Sequence, residues 1–281
     1  MKRLGLIAGE GELPAVIVRN AHLKGQEVVV ISVSEELDPD VVRLANCIHK
    51  IDLSEVPKAL EILKKEGINR VAMIGKVWRK EAYRSDVEKT IEGIARSQPD
   101  RADTSLLAAL IKNLEQAGIS VVNQLDYLGD AVPEPGVLGD LNPSLDEWKD
   151  ILFGFKKAKI ISGAGVGQTA IIKNLSVVAV EAAEGTDEAI IRAGRLTQGC
   201  IVVKVAWQDQ DRRFDIPTVG PGTVEVMVKA AARVLAVEAR KTIIVRRKDT
   251  LALAGKAGIP IVAVGEVEPF ENNDERRGSI R

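Results

Sequence analysis

Short apolar runs and amphipathic stretches alternate along the first half of the chain. Residues 4–8, 28–32, 71–74 and 120–122 are apolar runs of strand length. Between them, residues 14–24, 56–66 and 104–116 repeat apolar positions at the spacing of a helix with one buried face. Apolar strands without polar alternation are buried on both faces, and their exchange with helices predicts a parallel sheet covered by helices. Gly67 and Gly118 each follow a helical stretch and lead into a strand, where a left-handed glycine ends a helix. The pattern predicts an α/β chain whose N-terminal domain is a Rossmann-like parallel sheet with right-handed crossovers.

Periodicity vanishes over residues 131–143, where three prolines and two glycines fall. That stretch predicts a linker between a domain at 1–130 and a second, C-terminal α/β domain at 144–281. Ser144 opens an amphipathic helix with Leu145, Trp148, Ile151, Leu152 and Phe155 on its apolar face. Residues 168–173 and 176–180 flank Asn174 and Leu175 and predict a β-hairpin. A helix from Thr186, read as its N-cap, runs to Leu196. A strand at 201–206, a polar loop at 207–222, a helix capped by Thr223 and strands near 242–245 and 259–264 complete the domain. Residues 266–281 are polar and read as a frayed tail.

Composition narrows function more than fold. The 281 residues, 46% hydrophobic and 28% charged, suffice for two globular domains. A net charge of −1, from 39 basic and 40 acidic residues, gives no general electrostatic footprint for nucleic acid. The 3% aromatic content also argues against stacking platforms for single strands. Cys47 and Cys200 are too few and too far apart for a disulfide framework or a zinc motif, which points to a reducing, cytoplasmic setting. His22 and His49 have no histidine partner at ligand spacing, which argues against histidine metal ligation or a serine–histidine triad. No apolar run reaches membrane-spanning length. The N-terminal run stops at Glu10 without a small-residue cleavage site, and reads as a first strand rather than a signal peptide.

Three segments carry candidate chemistry. Gly9, Glu10, Gly11, Glu12, Leu13 and Pro14 follow a strand and open a helix, where glycines let backbone approach a phosphate. Pro14 holds the third glycine position of the dinucleotide fingerprint, and Glu10 and Glu12 would repel a pyrophosphate. A tight turn and the binding of another nucleotide remain as competing readings. Lys76, with the basic residues that follow to Lys80, ends the third strand and can meet a substrate phosphate. The densest cluster is the loop 207–221, with Gln208, Asp209, Gln210, Asp211, Arg212, Arg213 and Asp215. Carboxylates of this kind suit Mg²⁺ or Mn²⁺, and arginine forks suit phosphate oxygens. Together they are the parts for hydrolysing a phosphoanhydride. A solvated loop with a salt bridge is the bland alternative. Glu181, Glu184, Thr186 and Asp187 form a second acidic cluster at a strand end, in which Asp187 suits a helix dipole and Glu181 ends an otherwise apolar strand.

The turn Gly5–Pro14, the run Val180–Asp187, the run Gln210–Gly220 and the segment from Leu235 to Thr242 closely resemble the LpxI-type UDP-2,3-diacylglucosamine pyrophosphatases. The resemblance runs in order from the N-terminus to about Gly265, and Glu10 and Lys80 depart from the family pattern. It implies a cytoplasmic, two-domain hydrolase of lipid A biosynthesis, with room for peripheral contact with the inner membrane. It implies cleavage of UDP-2,3-diacylglucosamine to 2,3-diacylglucosamine 1-phosphate (lipid X) and UMP, with Mg²⁺ or another divalent cation such as Mn²⁺. Carried over by position, Asp211 and Asp215 become the catalytic and metal-binding carboxylates. Gly9, Gly11, Leu13, Pro14, Lys76, Glu181, Thr186, Asp187, Lys204, Gln210, Arg213 and Thr218 become substrate-binding positions. The resemblance also implies water attack on the sugar-side phosphorus. A nucleotide-sugar or dinucleotide-binding protein without hydrolysis, or a non-enzymatic scaffold, are the alternatives that the residues alone leave open.

Overall fold

The computed structural model describes residues 2–76 and 103–265. The basic segment after Lys76, with Lys80, and the tail 266–281 lie outside the described residues. The chain divides into two compact units, one of residues 1–131 and 210–216, the other of 132–209 and 217–281. The loop that carries Asp211 and Asp215 therefore belongs with the N-terminal unit, although most of its neighbours in sequence lie in the other.

The N-terminal unit is a parallel sheet of β1 (Lys2–Ala8), β2 (Gln26–Ser32), β3 (Cys47–Lys50), β4 (Arg70–Ile74) and β5 (Ser120–Val121), in the order β3-β2-β1-β4-β5. The helices are α1 (Leu13–Leu23), the short α2 (Pro39–Leu44), α3 (Val56–Lys65) and α4 (Asp103–Gln116). Side chains alternate across a strand, so each apolar run feeds two cores. Ile7, Val29, Ile31, Val71 and Met73 pack with Ala59 and Leu63 of α3 and Ile111 and Leu114 of α4. Leu4, Leu6, Val28 and Val30, on the opposite face, are fully buried as well. Gly5 admits α3 closely, since a Cβ there would stand 2.7 Å from Leu63 Cδ2. This strand order is that of a doubly wound, Rossmann-like sheet. The edge strand β3 has no counterpart among the apolar runs, because Cys47, His49 and Lys50 make it half polar.

The C-terminal unit is built on a mixed sheet in the order β6-β13-β11-β9-β7-β8. Its strands are β6 (Gly136–Leu138), β7 (Thr169–Lys173), β8 (Ser176–Val180), β9 (Ile201–Lys204), β11 (Val234–Glu238) and β13 (Ile261–Val264). Strands β9, β11 and β13 run parallel, and β6 and β7 oppose them. A separate parallel pair joins β10 (Thr218–Val219) to β12 (Ile243–Ile244). Helix α5 (Leu145–Gly163) covers one face through Ile151, Phe155 and Ala158. Helices α6 (Thr186–Leu196), α7 (Pro221–Lys229) and α8 (Arg247–Lys256) cover the other through Ala189, Ile190, Met227 and Ala254. Gly154 sets the approach of α5, since a Cβ there would stand 2.6 Å from Ile172 and 2.7 Å from Val203.

Several expectations shift in detail. The proline-rich stretch 131–143 contributes β6, paired antiparallel with β13, so it is not only linker. The hairpin turns on Asn174 and Leu175, both left-handed (φ 49° and 56°), the pairing a tight two-residue turn demands. Buried Asp150 accepts both turn N–H groups, at 2.9 and 2.6 Å. Thr186 is not an N-cap: Gly185, at φ 84°, holds that position, and Thr186 is the first helical residue. Helix α7 starts on Pro221, and Thr223, inside the first turn, accepts a bond from the Gly220 N–H. Strand β11 was not anticipated.

Candidate active site

Loops that leave the C-terminal edge of parallel strands are where open α/β sheets place ligands, above all where the strand order reverses. In the N-terminal unit that reversal lies between β1 and β4. The Gly9 N–H donates to Ile74 O at 2.9 Å, and Glu10 and Lys76 exchange two backbone bonds of 2.9 Å. A Cβ on Gly9 would stand 2.6 Å from Lys76 O, and one on Gly75 (φ 108°) would stand 2.6 Å from Gly9. Gly9 is thus committed to letting two backbones zip together. Gly11 is different: its φ is 97°, and nothing lies within 4 Å of where a Cβ would be. The first turn of α1, two residues on, has no acidic side chain and no side-chain cap. Gly11 and that turn together offer the backbone geometry an anion uses. Leu13 is half-buried there, and buried Pro14 fixes the turn but donates no N–H. Glu10 accepts a 3.3 Å bond from Ser34 Oγ, and Lys76 is exposed.

The loop 210–216 is held in the same unit. Phe214 is buried in the core against α3 and α4. Gln124 donates its backbone N–H to Arg212 O (3.1 Å) and its amide to Arg213 O (2.8 Å). Gln210 spreads its amide over the carbonyls of Asp211, Phe214 and Asp215, each at 3.1 Å. Arg213 clasps both oxygens of Asp211, with contacts of 2.7–3.1 Å, and reaches Glu115 at 2.7 Å. The hydrogen-bonded guanidinium holds the Asp211 carboxyl below its usual range. Asp215 is exposed and left-handed, at φ 51°. Arg213 as placed is a clamp for the loop.

The C-terminal unit gathers a second set at its own strand ends. Lys204, 8% exposed, ends β9 and donates to Thr186 Oγ1 at 2.7 Å. That hydroxyl donates to Glu181 Oε1 at 2.9 Å, while Gln168 N–H reaches Glu181 Oε2 at 3.3 Å. Thr169 Oγ1, on the residue paired with Lys204, and the Gln168 amide nitrogen are buried without a protein partner. Gly167 is required, because a Cβ would stand 2.1 Å from Glu181 O. Asp187 is exposed in the first turn of α6, and Thr218 is half-buried in β10.

Sequence reasoning passed over Glu238. It is 3% exposed at the end of β11, one residue beyond Val237, which pairs with Lys204 in the sheet register. It accepts the Ala206 N–H at 2.9 Å and pairs with Lys159 at 3.1 Å and Lys241 at 3.0 Å. The signal was available, since an acid closing the apolar run Val234–Glu238 is the pattern that singled out Glu181. The structure brings Glu181, Thr186 and Lys204 together in one unit, and Gln210, Asp211, Arg213 and Asp215 lie on one loop of the unit that also holds the glycine turn.

Residues 3–131 match the LpxI N-terminal domain, and residues 134–262 match the LpxI C-terminal domain. The chain belongs to the LpxI family. A relative from Caulobacter vibrioides, a UDP-2,3-diacylglucosamine pyrophosphatase LpxI, is 26% identical over 281 residues, covering 95% of this chain and 99% of the relative. Similarity to solved structures is weak. A UDP-glucose-4-epimerase from Stenotrophomonas maltophila, bound to NAD and formylated UDP-arabinopyranose, is 18% identical with a TM-score of 0.27, over 42% of this chain and 34% of its own. A phosphoribosylglycinamide synthetase from Anaerococcus prevotii is 13% identical with a TM-score of 0.26, over 71% of this chain and 44% of its own. This chain spans less than half the length of either, and neither adds to the LpxI assignment. Among the described residues no helix is long and apolar enough to cross a membrane.

Proposed function

We propose that this LpxI chain hydrolyses UDP-2,3-diacylglucosamine to lipid X and UMP, a step of lipid A biosynthesis. The observation that carries the reading is the end-to-end match to LpxI, together with a relative of that activity aligned over 99% of its length. Two features of the sites support a phosphoanhydride substrate. Gly11 and the first turn of α1 suit a phosphate, and Lys204 is a cation already stripped of water.

In this reading a water molecule attacks the sugar-side phosphorus, the bond from that phosphorus to the UMP oxygen breaks, and the water proton passes to a carboxylate. Asp215, exposed on a braced loop, suits that role. Asp211 keeps the loop in place through Arg213, and the α1 turn neutralises phosphate charge as it develops.

The residues fit Mg²⁺, or Mn²⁺ in its place, as an ion that arrives with the substrate. Among the described residues Asp211 and Asp215 fall in no group of three clustered ligands, and Asp211 already serves Arg213. Mg²⁺ is commonly held by one or two carboxylates and the substrate's own phosphates. Asp215, with Asp211 where Arg213 yields an oxygen, would hold it, and bound there it would withdraw charge from the phosphoryl oxygens. Contact with a membrane surface and acyl-chain docking belong to the same proposal, supported by exposed Ile160 and Val166.

UMP release from UDP-2,3-diacylglucosamine, with and without EDTA, tests the function. No UMP from the folded protein with Mg²⁺ present rejects it, and binding without release would favour a nucleotide-sugar binding protein. Asp215→Ala should lower turnover by about two orders of magnitude, the scale of a lost general base or metal ligand. Near-normal turnover in folded Asp215→Ala rejects that role. In ¹⁸O-water the label should enter lipid X, and label in UMP rejects the route of attack.

A further inference from the structure

We infer that Cys47, His49 and Glu66 form a binding site for a zinc-class divalent cation, separate from the hydrolytic chemistry. Cys47 and His49 are two apart on the edge strand β3, so their side chains share a face. Their register partners Val29 and Ile31 belong to the core that packs on α3, which places both side chains toward that helix. Glu66 is the C-cap of α3. The end of the helix thus meets the strand, and three ligand atoms of different chemistry converge.

Cys47 Sγ lies 3.3 Å from His49 Nε2, and His49 Nε2 lies 3.1 Å from Glu66 Oε1. All three ligand atoms lie within 4.8 Å of one another. Zinc bonds of about 2.0–2.3 Å at tetrahedral angles place neighbouring donors roughly 3.3–3.6 Å apart, so the trio needs only small shifts to close on an ion. A single Nε2–H cannot point at a thiol and a carboxylate at once, whereas one cation satisfies all three. Thiolate and imidazole donors select zinc over magnesium.

The surroundings are those of a ligand shell. Arg3 donates to Glu66 Oε2 at 3.1 Å and also to the Glu66 carbonyl, which orients the carboxylate and leaves Oε1 facing His49. Outer partners of this kind fix metal ligands. Asn46, next to Cys47, accepts the Val28 N–H at 2.8 Å and so anchors the start of β3. The charges balance: a thiolate and a carboxylate match a divalent ion, and Arg3 is offset by Glu27, 3.5 Å away. His49 and Glu66 side chains keep 31% and 22% exposure, so solvent can deliver the ion and a water can fill the fourth position.

Cobalt titration of the full chain tests the site, because a thiolate bound to Co²⁺ gives a near-ultraviolet charge-transfer band that carboxylate sites do not. One equivalent should produce the band and Zn²⁺ should abolish it. The band should vanish in Cys47→Ser, persist in Cys200→Ser, and need at least tenfold more Co²⁺ in Glu66→Gln, the lower bound set by losses in an outer shell. A wild-type protein without the band, or a band that survives Cys47→Ser, overturns the proposal. Alkylation of the unmutated protein avoids any folding defect: Zn²⁺ should slow iodoacetamide attack on Cys47 at least tenfold. Equal rates with and without Zn²⁺ overturn it as well. Neither readout depends on pyrophosphatase activity.

Discussion

Glu238 offers the sharpest energetic test, because its surroundings fix both sign and size. Glu238→Gln keeps the shape and can still accept the Ala206 N–H, so the change is one charge. That charge faces the ammoniums of Lys159 at 3.1 Å and Lys241 at 3.0 Å. The carboxylate side chain is only 4% exposed, but the two lysine side chains keep 29% and 27%. Breaking a fully buried ion pair costs about 3–5 kcal/mol. The lysines reach water, so solvent screens part of the loss and about 2 kcal/mol remains. With a urea slope of about 2 kcal/mol per molar, the midpoint of the C-terminal unit should fall by about 1 M. Tryptophan fluorescence reports it, since Trp148 lies in α5 and Trp207 follows Ala206. Adding Lys159→Met to Glu238→Gln should recover about 1 kcal/mol, because one orphaned cation is gone. A single-variant shift below about 0.2 M, or a double variant no better than the single, would refute this account of a charge held by its neighbours.

Three further outcomes follow from the geometry. Gly9→Ala drives a Cβ to 2.6 Å from Lys76 O and should destabilise the N-terminal unit by about 3 kcal/mol. Gly11→Ala meets no atom and should lose only about 1–2 kcal/mol to its positive φ, while weakening substrate binding; equal midpoints for the two variants in urea would contradict the division of roles. Arg213 lowers the Asp211 pKa in the folded state, so the pair's contribution is full above the unfolded carboxyl value (about 3.9) and fades as pH falls through the lower folded value. The urea midpoint gap between wild type and Asp211→Asn should therefore shrink from pH 7 to pH 3, and a constant gap would reject the linkage. Thr186→Val removes the hydroxyl between Lys204 and Glu181 and should raise KM more than Thr186→Ser does; an unchanged KM would make the bridge purely structural.

The parallel sheet was legible because strands buried on both faces are written as unbroken apolar runs, and β1, β2 and β4 are such runs. Strand β3 was not, since Cys47, His49 and Lys50 interrupt the pattern at a sheet edge where burial is partial. Strand β11 hid behind α7 for another reason. The helix gives way through Ala231 at φ 49°, with no glycine to mark the stop, so the alanines on both sides read as one continuous segment. At the site, residue types were readable and partners were not. The fork of Arg213 fits a phosphate on paper, but pairing with Asp211 two residues away and Glu115 ninety-eight residues away depends on where the loop docks. Cys47, His49 and Glu66 escaped for the same cause: a strand and the end of a helix meet, and spacing along the chain does not reveal it.

Those partners redistribute weight within the candidate site. A phosphate group that reached Arg213 would have to displace a carboxylate held through two nitrogens, a charge-assisted contact about twice as strong as a neutral hydrogen bond. Lys204, by comparison, is 8% exposed and donates to the Thr186 hydroxyl at 2.7 Å. The fold has met the desolvation of that ammonium in advance, which is how a site stabilises developing charge without reorganising. Thr169 Oγ1, on the residue paired with Lys204, is a further buried polar atom that a phosphate oxygen could satisfy. The loop with the most conspicuous charges thus spends Arg213 on holding Asp211 in place. The lysine at the end of an apolar strand, inconspicuous in the sequence, is the cation that the fold buries.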